Sequence, residues 1–217
     1  MVGVPQKCRC DQKKEPWIPT PEELCIRFVN TVAWRLRDPC EERLPTPHAL
    51  LRWLGENGFG GPRYLARIGA ASNVDGAAAD FHEAAVRLRE AIYALFHARI
   101  ENLSPPKESL ALLNASLVCP APGVELARHG TELGWRQSSL YADPHDLLRP
   151  IALSAANLMN GPRARKVRQC SDDRGCGWLF LDESRAQNRR WCAMNDCGNR
   201  AKAARHRAKT RKSSDSP

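Results

Sequence analysis

Residues 170–200 read CSDDRGCGWLFLDESRAQNRRWCAMNDCGNR. This stretch holds Cys170 and Cys176 as C-x5-C, then fifteen residues, then Cys192 and Cys197 as C-x4-C. Two close cysteine pairs at about this separation are typical of a structural zinc site, in which four thiolates surround the ion as a tetrahedron. The spacing therefore predicts one structural Zn²⁺. The alternative is four buried or free cysteines, which would need an apolar setting that the neighbouring arginines do not offer.

The chain around these cysteines needs a metal in order to fold. About 45 residues with this much charge cannot bury enough apolar surface to fold alone, whereas Zn²⁺ binding to four thiolates contributes roughly 10–16 kcal/mol in small peptides. Trp178, Phe180 and Leu181 supply a minimal core, and residues 182–185 fit a turn. We expect a first knuckle, a short hairpin over 177–191, and a second knuckle that opens into a helix, as in a treble clef. Four protein ligands also argue against a catalytic zinc.

The net charge of the 217-residue chain is +9, and it is concentrated at one end. Residues 1–162 carry 18 Lys or Arg and 18 Asp or Glu, whereas residues 163–217 carry 15 and 6. A neutral body with a cationic end indicates contact with nucleic acid or with another acidic surface. A basic tail that only improves solubility is the alternative.

The helix that should begin near Cys197 is dense in cations, as phosphate neutralisation requires. Asn199 and Arg200 are candidates for reading base edges, and a capping hydrogen bond within the finger is the alternative for Asn199. Two arginines of the expected second hairpin strand extend the same surface. The predicted nucleic-acid-binding residues are Arg189, Arg190, Asn199, Arg200, Lys202, Arg205, Arg207 and Lys209.

Helical periodicity dominates the sequence before the cysteines. Thr20-Pro21 looks like a helix start, and apolar residues follow at helical spacing as far as Leu36. Thr46-Pro47 repeats this start signal, and Asp75 should cap a helix of about 25 residues. Two short segments over 124–136 predict a β-hairpin. Another helix should begin near residue 104, and a last one should reach residue 160, with its start delayed by a proline at position 150.

These patterns predict a mainly α (α+β) fold in two domains. A tail over 1–19 precedes a helical domain over 20–162 that contains a small β-hairpin. A zinc finger with its basic helix occupies 163–212, and residues 213–217 form a second tail. Asn30 and Trp34 are one helical turn apart on the predicted first helix, so they could line a pocket for a small effector, with a core role for Asn30 as the alternative.

Other function classes find little support in the sequence. It has no apolar run long enough for a transmembrane helix and no evident secretory signal, so we expect a cytoplasmic protein that joins the nucleoid if it binds DNA. Neither a P-loop nor a G-x-S-x-G or H-E-x-x-H motif is present. We therefore expect no enzymatic activity.

The tetrapeptide over 197–200 is CGNR, and with the other three cysteines, Trp178-Leu179-Phe180 and Arg189-Arg190-Trp191 it resembles the CGNR zinc finger of bacterial proteins. The preceding part resembles the ABATE domain found before this finger, on the segments Phe28–Thr31, Thr46–Leu54, Leu88–Ile92 and Ser154–Ala156. The resemblance covers about residues 24–210. It implies a stress-induced transcription regulator whose finger binds DNA.

The leading hypothesis is therefore a zinc-dependent DNA-binding regulator. One finger with a short basic helix covers roughly 600–1,000 Å² of DNA, so useful specificity needs a second contact. We expect the helical domain to supply it, through formation of a homodimer or through an effector. The alternative is an RNA-associated or protein-interaction module in which the zinc is purely structural.

Overall fold

The computed structural model describes residues 23–59, 62–75, 77–117, 124–129, 132–137 and 144–214. The predicted tail over 1–19 and the Thr20-Pro21 helix start lie outside these residues. The helices are α1 (Leu24–Val29), α2 (Pro47–Glu56), α3 (Pro62–Asp75), α4 (Ala77–Ile100), α5 (Lys107–Leu117), α6 (Arg149–Asn160) and α7 (Asn199–Ser214). The strands are β1 (Val32–Ala33), β2 (Glu41–Glu42), β3 (Val124–His129), β4 (Glu132–Gln137), β5 (Val167–Gln169) and β6 (Leu179–Leu181).

The predicted mainly α fold is confirmed, and the strands form antiparallel two-stranded ribbons. β1 pairs with β2, β3 with β4, and β5 with β6. The β3–β4 ribbon is the predicted hairpin, with Val124 opposite Gln137 and His129 opposite Glu132. Its turn lies outside the described residues.

Helix α2 begins where its sequence signals place it. The Thr46 hydroxyl accepts a hydrogen bond from the backbone N–H of Ala49 at 3.2 Å, and Pro47 occupies the first turn. A helix leaves its first N–H groups without partners inside the helix. Thr46 supplies a partner for one of them, and Pro47 has no N–H group to satisfy. Gly58 follows the helix with φ of +82°, a conformation that favours glycine.

Helix α1 does not continue to Leu36 as the periodicity predicts; it ends at Val29. The Thr31 hydroxyl donates to the carbonyl of Phe28 at 2.7 Å. The chain then becomes extended in β1, and the side chains of Val32 and Ala33 are buried. The apolar spacing of this segment fits a helix, but the structure buries Val32 from a strand and leaves Leu36 exposed. Tertiary packing thus overrides the local pattern.

Helix α4 is the centre of the helical core. It packs against α1, α2, α3, α5 and α6. As its 3.6-residue period predicts, its apolar stripe faces the core; it is buried at Phe81, Leu88, Ile92 and Phe96 and partly buried at Ala84 and Ile100. The largest fully buried side chains of this core include Phe28, Phe59, Phe81, Phe96, Leu50, Leu88, Ile92 and Ile151. The last helix of the helical domain, α6, follows a 3-10 turn over Pro144–Leu148 and has Pro150 in its first turn, as predicted.

The β5–β6 ribbon connects this core to a second, smaller one. Val167 and Leu179 belong to the helical core, whereas Phe180 packs with the cysteines of the finger. Successive side chains of a strand point to opposite faces, so β6 presents Leu179 and Leu181 to the helical core and Phe180 to the cysteine core. The finger is therefore built directly onto the helical domain.

Candidate metal centre and nucleic-acid interface

The four cysteines predicted as ligands lie together. Their sulfurs are all within 4.8 Å of one another, with Cys176 Sγ 3.8 Å from Cys192 Sγ, and Cys192 Sγ 3.7 Å from Cys197 Sγ. Four sulfurs at the usual Zn–S distance in a tetrahedron lie about 3.8 Å apart. The cluster thus fits one structural Zn²⁺, and the predicted cofactor is confirmed.

The protonation chemistry of the cluster also favours a cation. Hydrogen bonds from Cys176 and Cys192 lower the pKa of Cys170. The hydrogen bond between Cys192 and Cys170 raises the pKa of Cys192. Burial raises the pKa of Cys197, and the negative charge at Cys170 raises it further. Four thiols this close cannot all ionise by themselves, and a divalent cation is what allows all four to bind as thiolates.

The first knuckle, residues 170–176, connects β5 to β6, and it does not open a hairpin over 177–191. β6 pairs with β5, which precedes Cys170, and Cys170 N–H donates to the carbonyl of Trp178 at 2.8 Å. Arg189 and Arg190 lie in irregular chain instead of a second strand, so the predicted hairpin is wrong. The upstream segment is the better partner of β6 because it carries Val167 into the helical core beside Leu179.

Asp182 holds the loop between the knuckles, where a turn is predicted. One of its carboxylate oxygens accepts from the backbone N–H and hydroxyl of Ser184 at 3.1 and 2.5 Å, and the other accepts from Arg189 N–H at 2.8 Å. An aspartate that binds the backbone two residues further on is typical of a turn. This fully buried carboxylate therefore fixes the chain that leads to Cys192.

The second knuckle opens into the basic helix, as predicted. A single π-helical turn over Met194–Gly198 carries Cys197 and passes into α7 at Asn199. The Asn199 side-chain amide donates to the carbonyl of Asn195 at 3.3 Å. Asn199 thus makes the hydrogen bond within the finger that the sequence offers as the alternative to base contact.

Arg200 is engaged within the protein. Its Nη2 donates to Cys197 Sγ at 2.8 Å and to Asp172 Oδ2 at 3.0 Å, its Nε donates to the same Asp172 oxygen at 3.2 Å, and its Nη1 donates to Asp196. Its guanidinium carbon lies 5.0 Å from the centroid of the Trp34 ring. These contacts occupy all three guanidinium nitrogens, so Arg200 is a structural arginine in this arrangement.

Three other predicted arginines gather around two aromatic rings. The guanidinium carbons of Arg190 and Arg205 lie 5.6 and 5.5 Å from the Trp191 centroid, and that of Arg189 lies 5.0 Å from Phe180. Arg189 Nη2 also donates to the carbonyl of Cys192 at 2.9 Å. Arg190 and Arg205 are exposed, so their charges face the solvent from a fixed aromatic support.

Lys202 and Arg207 are also exposed on α7. Lys209 lies on the same helix, in a part whose side chains are outside the described ones. The predicted nucleic-acid residues are therefore divided. Arg190, Lys202, Arg205 and Arg207 face solvent, whereas Arg200 is held by intramolecular contacts, and Arg189 and Asn199, though exposed, donate hydrogen bonds within the finger.

The common helix face that the sequence assigns to Asn30 and Trp34 is wrong, because α1 ends at Val29 and Trp34 has φ of +52°. The Asn30 amide nitrogen donates to the Leu179 carbonyl at 2.8 Å, and its oxygen accepts from Leu179 N–H at 2.9 Å. Trp34 lies against the finger arginines Arg174 and Arg200. Both residues thus join the helical domain to the finger, and the effector pocket at Asn30 and Trp34 stays a prediction.

Sequence reasoning missed the residues that hold the knuckles together. Asp172 is a buried acid that pairs with Arg200, and Gly175 and Gly177 have φ of +88° and +66°. The signals were present: an acid two residues after a cysteine ligand in a basic segment, and glycines on both sides of Cys176. Glycine is the residue that adopts such φ values without steric cost.

The fold and the site define a zinc-finger protein with four cysteine ligands and a helical N-terminal domain. A family model named ABATE, described as "Putative stress-induced transcription regulator", matches residues 22–162. The model of the CGNR zinc finger matches residues 166–210. The chain belongs to the ABATE family and carries a CGNR zinc finger.

A search of curated proteins gave no match. Among the helices that the structure describes, none combines the length and the apolar character needed to cross a membrane.

Proposed function

We propose that this protein is a zinc-dependent, DNA-binding transcriptional regulator whose finger contacts DNA. The observation that carries the proposal is that two exposed guanidiniums, those of Arg190 and Arg205, lie against the ring of the partly buried Trp191. Trp191 packs against the cysteine core, so the zinc centre fixes the support on which both cations sit. Fixed cations contact phosphates at a lower entropic cost than freely moving ones.

The charges around this pair favour a polyanionic partner. Helix α7 has no acidic residue in its sequence, and Lys202 and Arg207 are exposed on it. Four of the five acidic residues within residues 163–214 are engaged inside the protein: Asp172 and Asp196 pair with Arg200, Glu183 pairs with Arg163, and Asp182 accepts hydrogen bonds from Ser184 and Arg189. The finger therefore presents positive charge that its own carboxylates do not neutralise, which is the electrostatic condition for phosphate binding.

The helical domain supplies the rest of the function. A single small module buries roughly 600–1,000 Å² on DNA, which limits both affinity and specificity. The proposal therefore assigns to the helical domain either formation of a homodimer, which would place two fingers on one site, or binding of a small effector. It assigns no catalytic role to either domain.

The test is duplex-DNA binding by the full-length, zinc-loaded protein and by the R190A/R205A double variant. We expect the double variant to bind at least tenfold more weakly near 0.1 M salt. Its plot of log K against log salt should be less steep by about 2, because each phosphate contact contributes roughly 0.9 to that slope. Fluorescence anisotropy over a salt series measures both quantities.

The matched control is R87A/R99A, which removes two exposed arginines from α4 and the same amount of charge. We expect it to bind DNA as the parent does. An equal loss in both double variants would mean that only net charge matters and would overturn the assignment to the finger. Duplex RNA in a parallel titration separates the RNA-associated alternative, which predicts tighter binding to RNA than to DNA.

A further inference from the structure

The finger and the helical domain meet along a seam, defined here as residues 32–37 of the helical domain and 174–178 of the finger. Arg35 N–H donates to the carbonyl of Cys176 at 3.0 Å, and Leu36 N–H donates to the carbonyl of Gly175 at 3.1 Å. The Trp178 indole N–H donates to the carbonyl of Val32 at 2.8 Å. The first knuckle is thus hydrogen-bonded to the helical domain through its backbone, directly at a zinc ligand.

The seam leaves no room for side chains on the knuckle. A Cβ added at Gly175 would lie 2.6 Å from Arg37 Cγ and 3.2 Å from the Leu36 carbonyl carbon, and one at Gly177 would lie 2.7 Å from Leu36 Cγ. Both glycines also have positive φ. Gly175 and Gly177 therefore serve two purposes: they allow the tight turn around Cys176, and they let the knuckle pack closely against the seam.

Trp34 projects from the seam toward the second half of the metal centre. Its ring has three guanidinium carbons around it, those of Arg200 at 5.0 Å, Arg37 at 5.2 Å and Arg174 at 5.7 Å. The negative face of an indole ring attracts guanidinium cations at such distances. Arg200 comes from α7, and Arg174 comes from the first knuckle.

Arg200 is the point at which these parts converge. It donates to Cys197, a ligand in the second knuckle, to Asp172 in the first knuckle, and to Asp196 at the start of the basic helix. Asp172 is buried, with 3% of its side chain exposed. A hydrogen bond from a cation to a ligand thiolate offsets part of the excess negative charge that four thiolates leave around a divalent ion.

We propose that Arg200 is a positioning residue that couples the zinc centre to the helical domain through Trp34. It holds the ligand thiolate of Cys197, both knuckles and the Trp34 ring in one arrangement. Metal binding therefore stabilises the seam, and by thermodynamic reciprocity an intact seam strengthens metal binding. A change in the helical domain at residues 32–37 would then reach the finger as a change in the orientation of α7.

The proposal rests on the zinc site and is independent of DNA binding, so it is tested without nucleic acid. The first measurement is zinc affinity of the full-length protein by competition with a chromophoric chelator, for the parent and for R200A, W34A and R207A. Substitution of residues that hold metal ligands typically lowers metal affinity by 10–100-fold. We expect a loss in that range for R200A, a smaller loss of at least threefold for W34A, and no change for R207A, an exposed arginine on the same helix.

The second measurement is amide hydrogen exchange. Removal of zinc from the parent should accelerate exchange at Arg35 and Leu36, whose N–H groups donate to the first knuckle, while the α4 residues around Ile92 stay protected. R200A with zinc bound should accelerate the same two amides. A role limited to overall folding would change protection throughout the chain.

Two results would overturn the coupling. One is a zinc affinity of R200A equal to that of the parent; the other is a lower affinity in R200A together with a parent-like affinity in W34A. If R200A does not fold, R200K gives the same comparison, because its ammonium keeps the charge but lacks the planar fork of nitrogens with which Arg200 reaches Asp172, Asp196 and Cys197. We expect R200K to bind zinc more weakly than the parent, and parent-like affinity would contradict the proposal.

Discussion

Arg89 shows at the scale of single residues how the helical domain holds a buried charge. Only 2% of this residue is exposed, and its guanidinium donates to Glu42 at 2.8 and 2.6 Å and to Glu90 at 2.9 Å. Arg35 donates to Glu90 at 2.5 Å from the other side. A buried arginine is tolerated because carboxylates bind it with good geometry.

Ionisation of Glu42 is linked to this arrangement. Burial works against the charged carboxylate, but hydrogen bonds from Arg89 and from the backbone of Leu44 outweigh it and hold the pKa of Glu42 below its ordinary value of 4.5. A carboxyl with a lowered folded-state pKa stabilises the protein fully above its ordinary pKa. That stabilisation is lost as the pH falls through the lowered value.

We therefore expect E42Q to lower the free energy of unfolding by about 1.5–3 kcal/mol at pH 7, the range for hydrogen bonds to charged groups. The difference from the parent should shrink as the pH falls below about 4.5 and through the lowered folded-state pKa of Glu42, where the folded parent loses the charge too. Urea unfolding at pH 7 and pH 3.5 measures it. E41Q, at the exposed neighbouring position, is the control and should stay within about 0.5 kcal/mol of the parent. An E42Q effect of equal size at both pH values would contradict the linkage.

Strand β6 is the element that decides how the finger is attached. Asn30, just beyond the end of α1, binds both the N–H and the C=O of Leu179, so it substitutes for a neighbouring strand at the open edge of the β5–β6 ribbon. Without Asn30, the N–H and C=O of the buried Leu179 would lack hydrogen-bond partners in a place that water does not reach. One amide side chain thus fixes the position of the ribbon against α1.

We expect N30A to lower the free energy of unfolding by about 2–4 kcal/mol, since it leaves two backbone groups of a buried residue unpaired. N157A, which removes an exposed asparagine from α6, is the matched control and should change the stability by less than about 0.5 kcal/mol. Chemical denaturation of the zinc-loaded proteins measures both. An N30A protein as stable as N157A would show that the Leu179 contacts contribute little.

The elements also show which parts of the structure were predictable from sequence. The zinc ligands were found because ligand identity and spacing are local properties, and α2 was found because Thr46, Pro47 and Gly58 are local signals. The end of α1 and the partner of β6 were not, because both depend on residues far away in the chain, such as Leu179 for Asn30. Helix α3 was missed because only four of its fourteen residues have large apolar side chains and its sequence includes Gly69.

On the scale of the whole molecule, the two cores are joined rather than separate. β6 gives Leu179 to the helical core and Phe180 to the cysteine core, and the seam bonds the first knuckle to residues 32–36. The charge is divided between the two parts: residues 1–162 are neutral overall, and residues 163–217 carry the whole net charge of +9. We infer that zinc orients the basic helix relative to the helical domain as well as folding the finger.

The most direct test of zinc-dependent DNA binding is the affinity of the full-length protein for duplex DNA over a salt series, with zinc bound and after its removal. With zinc, log K should fall against log salt with a slope of roughly −4 to −5, as expected for about five phosphate contacts. Removal of zinc should lower the affinity and flatten the slope, and restoring zinc should recover both. Affinity for DNA that does not depend on salt, or that is unchanged without zinc, would contradict the account.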